Sequence, residues 1–102
     1  MNKEYILKYL ADVKNKYQNE GFVIKALFGS YSRNEENAKS DVDILVEATP
    51  EFASRYGFGA IARIHEIEAE LSQALGLPVD IADITGMSKT GKKFIIDRAV
   101  YV

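Results

Sequence analysis

The sequence predicts a single α+β domain, in which a small mixed β-sheet is packed with helices in a sandwich-like arrangement. Three observations lead there. Helical and strand-like periodicities alternate along the chain in the order α-β-α-β-α-β-α, the pattern of helices layered on a sheet. The length of 102 residues suits one modest core, so residues 1–102 read as one domain. Hydrophobic residues at 47% and charged residues at 27% are ordinary globular proportions and argue against disorder.

Asn2 can cap a first helix whose apolar positions Ile6, Leu7, Leu10, Val13 and Tyr17 keep one face. Gly21 ends that helix after the polar stretch Gln18-Asn19-Glu20. Phe22 to Phe28 is β-branched and aromatic and reads as the first strand. It stops at Gly29-Ser30, where Ser30 is placed to cap a short helix beginning at Tyr31. Asn34 to Lys39 is a polar loop, and Ser40 to Glu47 reads as the second strand, with Val42, Ile44 and Val46 alternating with Asp41, Asp43 and Leu45.

Thr49-Pro50 opens a long helical region in which Ile61, Ile64, Ile67, Leu71, Ala74 and Leu75 form an apolar stripe. Glu66, Glu68 and Glu70 face outward there, and Phe58 between Gly57 and Gly59 marks a bend or a separate short helix. Gly76 and Pro78 stop the helix. Val79 to Ile84 reads as a third strand and Met87 to Val102 as a last helix.

Composition narrows the chemistry. With no cysteine and only His65, thiolate and His-rich zinc sites are excluded. Any metal must be held by carboxylates and is therefore hard, Mg²⁺ or Mn²⁺. Met1–Tyr9 carries Lys3, Glu4 and Lys8 and does not read as a signal peptide. No apolar run approaches the ~20 residues that span a bilayer, so the expected location is the cytoplasm, with no membrane partner. A net charge of −2 argues against general nucleic-acid binding. Charge is nonetheless segregated. Between Glu35 and Asp83 there are eleven acidic residues against three basic ones, whereas Lys89, Lys92, Lys93 and Arg98 make the tail basic. That tail is either a solvated helix face or a surface for a polyanionic substrate or acidic partner.

The candidate site lies around the second strand. A strand has a side-chain period of two, so Asp41 and Asp43 project from one face. Two adjacent carboxylates repel each other unless a cation lies between them, and Mg²⁺ takes one or two carboxylates and completes its shell with water and phosphate oxygens. The Gly29-Ser30 turn can offer backbone N–H groups to an anion. Asp80, on the third strand, is the third acid a neighbouring strand could add, and three acids allow two-metal chemistry. Asp83 is its rival, although in a regular strand it faces the opposite side. Arg33 suits a triphosphate, or pairs with Glu35 or Glu36. His65, alone beside an apolar stripe, reads as structural or surface.

These residues resemble a known pattern. Gly29-Ser30-Tyr31-Ser32-Arg33-Asn34, five residues, then Ser40-Asp41-Val42-Asp43-Ile44-Leu45-Val46 is similar to the motif of the minimal nucleotidyltransferases. These are the small members of the DNA polymerase beta-like nucleotidyltransferase superfamily, whose pattern is Gly-Ser-x-Ala-Arg-Gly, five residues, then Ser-Asp-x-Asp-Leu-x-Val. Ser32, Asn34 and Ile44 depart from it; Asn34 tolerates the left-handed backbone that the family's glycine provides. The resemblance implies the polymerase beta-like fold and a Mg²⁺-dependent transfer of AMP from ATP to a hydroxyl. Gly29 and Ser30 would hold the terminal phosphates, with Arg33 as a further nucleotide-binding candidate. Asp41, Asp43 and Asp80 would hold a two-metal site, Asp80 helping to deprotonate the acceptor before in-line attack releases pyrophosphate.

It also implies a partner. Family members of this size pair with a helical HEPN-type toxin in a hetero-oligomer, and act as antitoxin by adding AMP to a tyrosine of that toxin. A chain this short has little room for its own acceptor-binding domain, which favours a partner on separate grounds. Two other functions stand beside this one: a non-catalytic subunit that neutralises or completes a helical partner by contact, and a small-molecule nucleotidyltransferase of the aminoglycoside type.

Overall fold

The computed structural model describes residues 2–37, 40–89, 91, 93 and 99–102. Helix α1 (Lys3–Gln18) begins at Asn2, whose side chain accepts a hydrogen bond from Tyr5 N at 2.9 Å, the cap anticipated from sequence. Strand β1 (Phe22–Phe28) follows, then a 3₁₀ turn (Ser30–Arg33) and strand β2 (Val42–Ala48). The helical region beyond β2 is divided into α2 (Pro50–Tyr56), a 3₁₀ turn (Gly57–Gly59) and α3 (Ala60–Leu75), with the break at the Gly-Phe-Gly bend. Strand β3 (Val79–Asp83), a 3₁₀ turn (Ile84–Gly86) and strand β4 (Val100–Tyr101) complete the described elements.

The four strands form one mixed sheet in the order β3-β2-β1-β4, with β1 antiparallel to both β2 and β4 and β2 parallel to β3. The parallel pair needs a crossover, which α2 and α3 supply. Strand β4 corrects the expected last helix. Val102 N donates to Lys25 O at 2.9 Å, and Lys14 Nζ donates to Val102 O at 3.0 Å, so the chain ends on the free edge of β1. Two strand residues are too few to show a period, and their partner lies far away in sequence. Lys89, Gly91 and Lys93 are helical. The expected helical positions Phe94 and Ile95, together with Lys92 and Arg98 of the basic tail, lie outside the described residues.

The core lies between the sheet and the helices. Ile6, Leu10 and Tyr17 of α1 and Ile67, Leu71 and Leu75 of α3 bury against Phe22, Ile24, Leu27, Val42, Ile44 and Val46. Burying each such side chain favours folding by roughly 1.5–3 kcal/mol. Phe52 of α2 meets Phe22 at a ring separation of 5.6 Å and Tyr56 at 5.0 Å, which fastens the short helix to the sheet. The packed face of α3 runs through Ala60, Ile64, Ile67, Leu71 and Leu75. Ile61 and Ala74 of the expected stripe are exposed instead, Ile61 because it is rotated off that face in the first turn. Leu45 and its register partner Ala26 are fully buried outside the main cluster, so the face of β2 that carries Asp43 is itself covered one step further along.

Candidate active site

The motif's first half is anchored by Tyr31, which is buried in the core and draws the 3₁₀ turn down onto the sheet. Gly29 enters the turn at φ 75°, a left-handed value that glycine takes without strain. Ser30 does not act as the expected cap, because the turn begins at Ser30 itself. Ser32 performs the local bonding: its N–H and its hydroxyl both donate to Gly29 O, at 3.1 and 2.7 Å. Asn34 closes the turn in the left-handed region at φ 56°, as its side-chain type allows. Among the described residues the N–H groups of Ser30 and Tyr31 have no acceptor, which leaves them available to an anion.

The second half is positioned by strand pairing. Ser40 closes the loop ahead of it, with Asn37 N donating to Ser40 Oγ at 2.9 Å and Ser40 N to Asn37 O at 3.0 Å. Asp41 then lies exposed just before β2 starts, and Asp43 is half-buried within it. Asp43 is flanked on one side by Phe28, the last residue of β1, and on the other by Asp80 of β3, its parallel register partner. A Cβ at residue 29 would overlap Asp43 Oδ2 and lie 3.0 Å from Asp43 Cγ, so the carboxylate packs directly over Gly29. The strands thus bring Gly29, Asp43 and Asp80 side by side, with Asp41 two residues before Asp43.

The electrostatics agree with that placement. Burial pushes the Asp43 carboxyl above the usual range, and the charges of Asp80 and then Asp41 push it further, with the Arg33 guanidinium opposing. Arg33 itself is exposed and pairs with Glu35 at 3.0 Å, one of the two pairings anticipated for it. Asp83 is not part of this group. It pairs in register with Val46 at the far end of β3, and its Oδ1 accepts from Ala48 N at 3.3 Å, Thr85 N at 3.0 Å and Thr85 Oγ1 at 2.8 Å. Its role is to cap the turn after β3 and to tie that turn to β2. His65 is exposed on α3.

Among the described residues no three His, Asp or Glu side chains already close around one point as a metal cage. The arrangement still fits a hard cation. Burial, and after it the charges of Asp80 and Asp41, has raised the proton affinity of the Asp43 carboxylate, and a divalent ion would relieve it. Two carboxylates with substrate oxygens completing the shell is the donor set Mg²⁺ prefers to an all-protein cage. Sequence reasoning did not find Lys3, whose Nζ lies 3.4 Å from Ser32 O of the turn. Nothing local in the sequence places the start of α1 against a turn so far along the chain.

Fold and site together define a nucleotidyltransferase. The chain belongs to the nucleotidyltransferase domain family, which matches residues 6–102. It is 38% identical to "Putative protein adenylyltransferase MJ0128" of Methanocaldococcus jannaschii, over 98% of this chain and 93% of that protein. It is 34% identical to "Putative protein adenylyltransferase MJ0126" of the same organism over the same shares. Among solved structures, a chain described as a "putative minimal nucleotidyltransferase" superposes with a TM-score of 0.77 at 25% identity, covering 100% of this chain and 97% of that one. A chain from the crystal structure of a "toxin-antitoxin with AMP-PNP" superposes with a TM-score of 0.64 at 27% identity, covering 99% and 72%. The expected fold is thereby established. Among the described residues no helix is long and apolar enough to cross a membrane.

Proposed function

We propose that this protein transfers AMP from ATP, with Mg²⁺, to a hydroxyl of a partner protein, and that it serves as the antitoxin of a toxin–antitoxin pair. The observation that carries this reading is the alignment of Asp43 with Asp80 beside the Gly29 turn, which sets an acidic pair next to unpaired N–H donors. The related adenylyltransferases and the toxin-antitoxin structure with AMP-PNP support it. The acceptor proposed is a tyrosine of a helical HEPN-type toxin, bound as a hetero-oligomer in the cytoplasm.

Each residue then has a task. Gly29 lets the turn approach the carboxylate of Asp43, and the Ser30 and Tyr31 N–H groups with the Ser30 hydroxyl receive the terminal phosphates. Arg33 exchanges Glu35 for a phosphate oxygen, which its fork suits better than a single carboxylate. Asp41 and Asp43 would hold the metal ions with the triphosphate, and Asp80 would add the third carboxylate for the catalytic one. Bound there, the ions would neutralise the leaving pyrophosphate and activate the acceptor oxygen. Asp80 lies at the exposed end of the group, where it can accept the proton of the incoming hydroxyl.

The test is incubation with Mg²⁺ and ATP labelled at the α- or the γ-phosphate, with and without the protein encoded beside this one. The expected result is α-label, and no γ-label, on that protein, abolished by Asp41→Ala or Asp43→Ala. Full neutralisation of the partner by Asp43→Ala would overturn the catalytic reading in favour of inhibition by contact. Labelling of an aminoglycoside hydroxyl in place of any protein would overturn the choice of acceptor.

A further inference from the structure

Two cations flank the 3₁₀ turn, and their circumstances differ. Arg33 is exposed and already paired with Glu35. Lys3 is half-buried, reaches across 29 residues of sequence to the Ser32 carbonyl at 3.4 Å, and makes no ion pair among the described residues. Its position is unfavourable for the helix that bears it. Lys3 is the first residue of α1, where the macrodipole is positive and disfavours a cation. A half-buried ammonium whose one protein partner is a neutral carbonyl also lacks a full counterpart for its charge. Both features are explained if the missing counterpart is an anion received by the turn.

The turn is built to transmit such a contact. Ser32 is buried, and both its N–H and its hydroxyl hold Gly29 O, while its own carbonyl holds Lys3. The ammonium therefore fixes the residue that fixes Gly29, and Gly29 lies under Asp43. At the other end of the same turn are the two unpaired N–H groups of Ser30 and Tyr31.

We propose that Lys3 is a positioning residue for the nucleotide: its ammonium, seated on the Ser32 carbonyl, fixes the Gly29–Arg33 turn and with it the Ser30 and Tyr31 N–H groups that receive the terminal phosphates. This rests on the proposed use of ATP. Its consequence is selective, since a turn held in place for the β- and γ-phosphates strengthens binding of a triphosphate far more than that of a monophosphate.

The experiment is calorimetric titration of the full chain with Mg²⁺ and AMP-PNP, and separately with AMP, for wild type, Lys3→Met and Lys3→Arg. Thermal unfolding is measured on the same samples. Lys3→Met is expected to weaken AMP-PNP about five- to tenfold, equivalent to about 1–1.4 kcal/mol, and to leave AMP within about twofold. Lys3→Arg, which keeps the charge and a donor, is expected to restore most of the loss, with the melting temperature lowered in neither variant. Equal weakening of AMP and AMP-PNP, no weakening at all, or an Arg variant as weak as Met would each overturn the role. A wild-type chain that binds neither ligand would instead overturn the nucleotide reading on which the role rests.

Discussion

The carboxylate of Asp43 occupies the space that a side chain at residue 29 would need, so the turn and the acidic strand meet through one glycine. Gly29 combines φ 75° with a hypothetical Cβ that would overlap Asp43 Oδ2. Backbone conformation and side-chain clearance make the same demand there. The contact joins the glycine turn to the acidic strand of the proposed site.

Gly29→Ala is accordingly expected to damage the site more than the fold. The backbone at φ 75°, ψ −158° lies in a region that is essentially glycine-only and would cost alanine roughly 1–3 kcal/mol, and the Asp43 carboxylate would have to move off residue 29. Circular dichroism should show a folded protein, while calorimetry should show Mg²⁺-dependent AMP-PNP binding reduced at least tenfold. An alanine variant that bound as wild type would show that Asp43 can leave Gly29 without consequence.

Asp43→Asn should stabilise the free protein while abolishing the proposed response to Mg²⁺. The carboxyl of Asp43 is raised in the folded state, chiefly by burial and then by Asp80 and Asp41. Its ionised form therefore opposes folding at neutral pH, and that opposition disappears as pH falls and the group protonates. Removing the charge is expected to raise the melting temperature by about 2–5 °C without ligand. Mg²⁺ should stabilise wild type further and leave the variant unmoved. A fall in the variant's melting temperature would mean that Asp43 holds the fold rather than a ligand.

Away from the site, Arg63 of α3 organises a polar network. It donates to both oxygens of Glu20 at 2.7 Å and to Glu70 at 3.3 Å, Tyr17 donates to Glu70 at 2.7 Å, and Tyr56 donates to Glu20. Arg63→Met is expected to cost about 2 kcal/mol, less than for a deeply buried pair because Glu70 remains open to water. Chemical denaturation measures this. Arg63→Lys should recover only part of the loss, since one ammonium does not reproduce the guanidinium fork.

The same network sets the acid limit of the fold. The Arg63 hydrogen bond, with help from Tyr56, holds the Glu20 carboxyl down at about 2, against an ordinary value near 4.5. Glu70 is lowered too, first by the Tyr17 hydroxyl and then by Arg63. Depressed carboxylates contribute stability that is complete above their unfolded value and is lost as pH falls through the folded one. Unfolding free energy should therefore decline between about pH 4.5 and pH 2, and Glu20→Gln should flatten that decline. An unchanged slope in the variant would place the acid-sensitive groups elsewhere.

The elements around the site were legible because their determinants are local. Phe22–Phe28, the glycine turn and the Asp-x-Asp spacing lie within a short stretch, and a period of two suffices to put Asp41 and Asp43 on one face. The choice of Asp80 over Asp83 also followed from strand parity, and the register with Asp43 agrees with it. What escaped depends on distant pairing. Strand β4 exists because β1 has an open edge, and Lys3 matters because α1 starts beside Ser32. Glu70 looked like a solvated helix residue, yet it accepts the Tyr17 hydroxyl from across the core boundary. Ile61 fitted the helical stripe and is nonetheless exposed, since the packed face of α3 runs through Ala60 and Ile64 and leaves Ile61 turned to one side.

The most direct test of the account is a titration of Mn²⁺, as a spectroscopic stand-in for Mg²⁺, in the presence of AMP-PNP, followed by electron paramagnetic resonance for wild type and for Asp41→Asn, Asp43→Asn and Asp80→Asn. The account predicts tight nucleotide-dependent binding by wild type and a clear loss in each variant, largest for Asp43→Asn because it stands between the other two. Binding by Asp43→Asn equal to that of wild type would contradict the claim that these three carboxylates form one metal–nucleotide site.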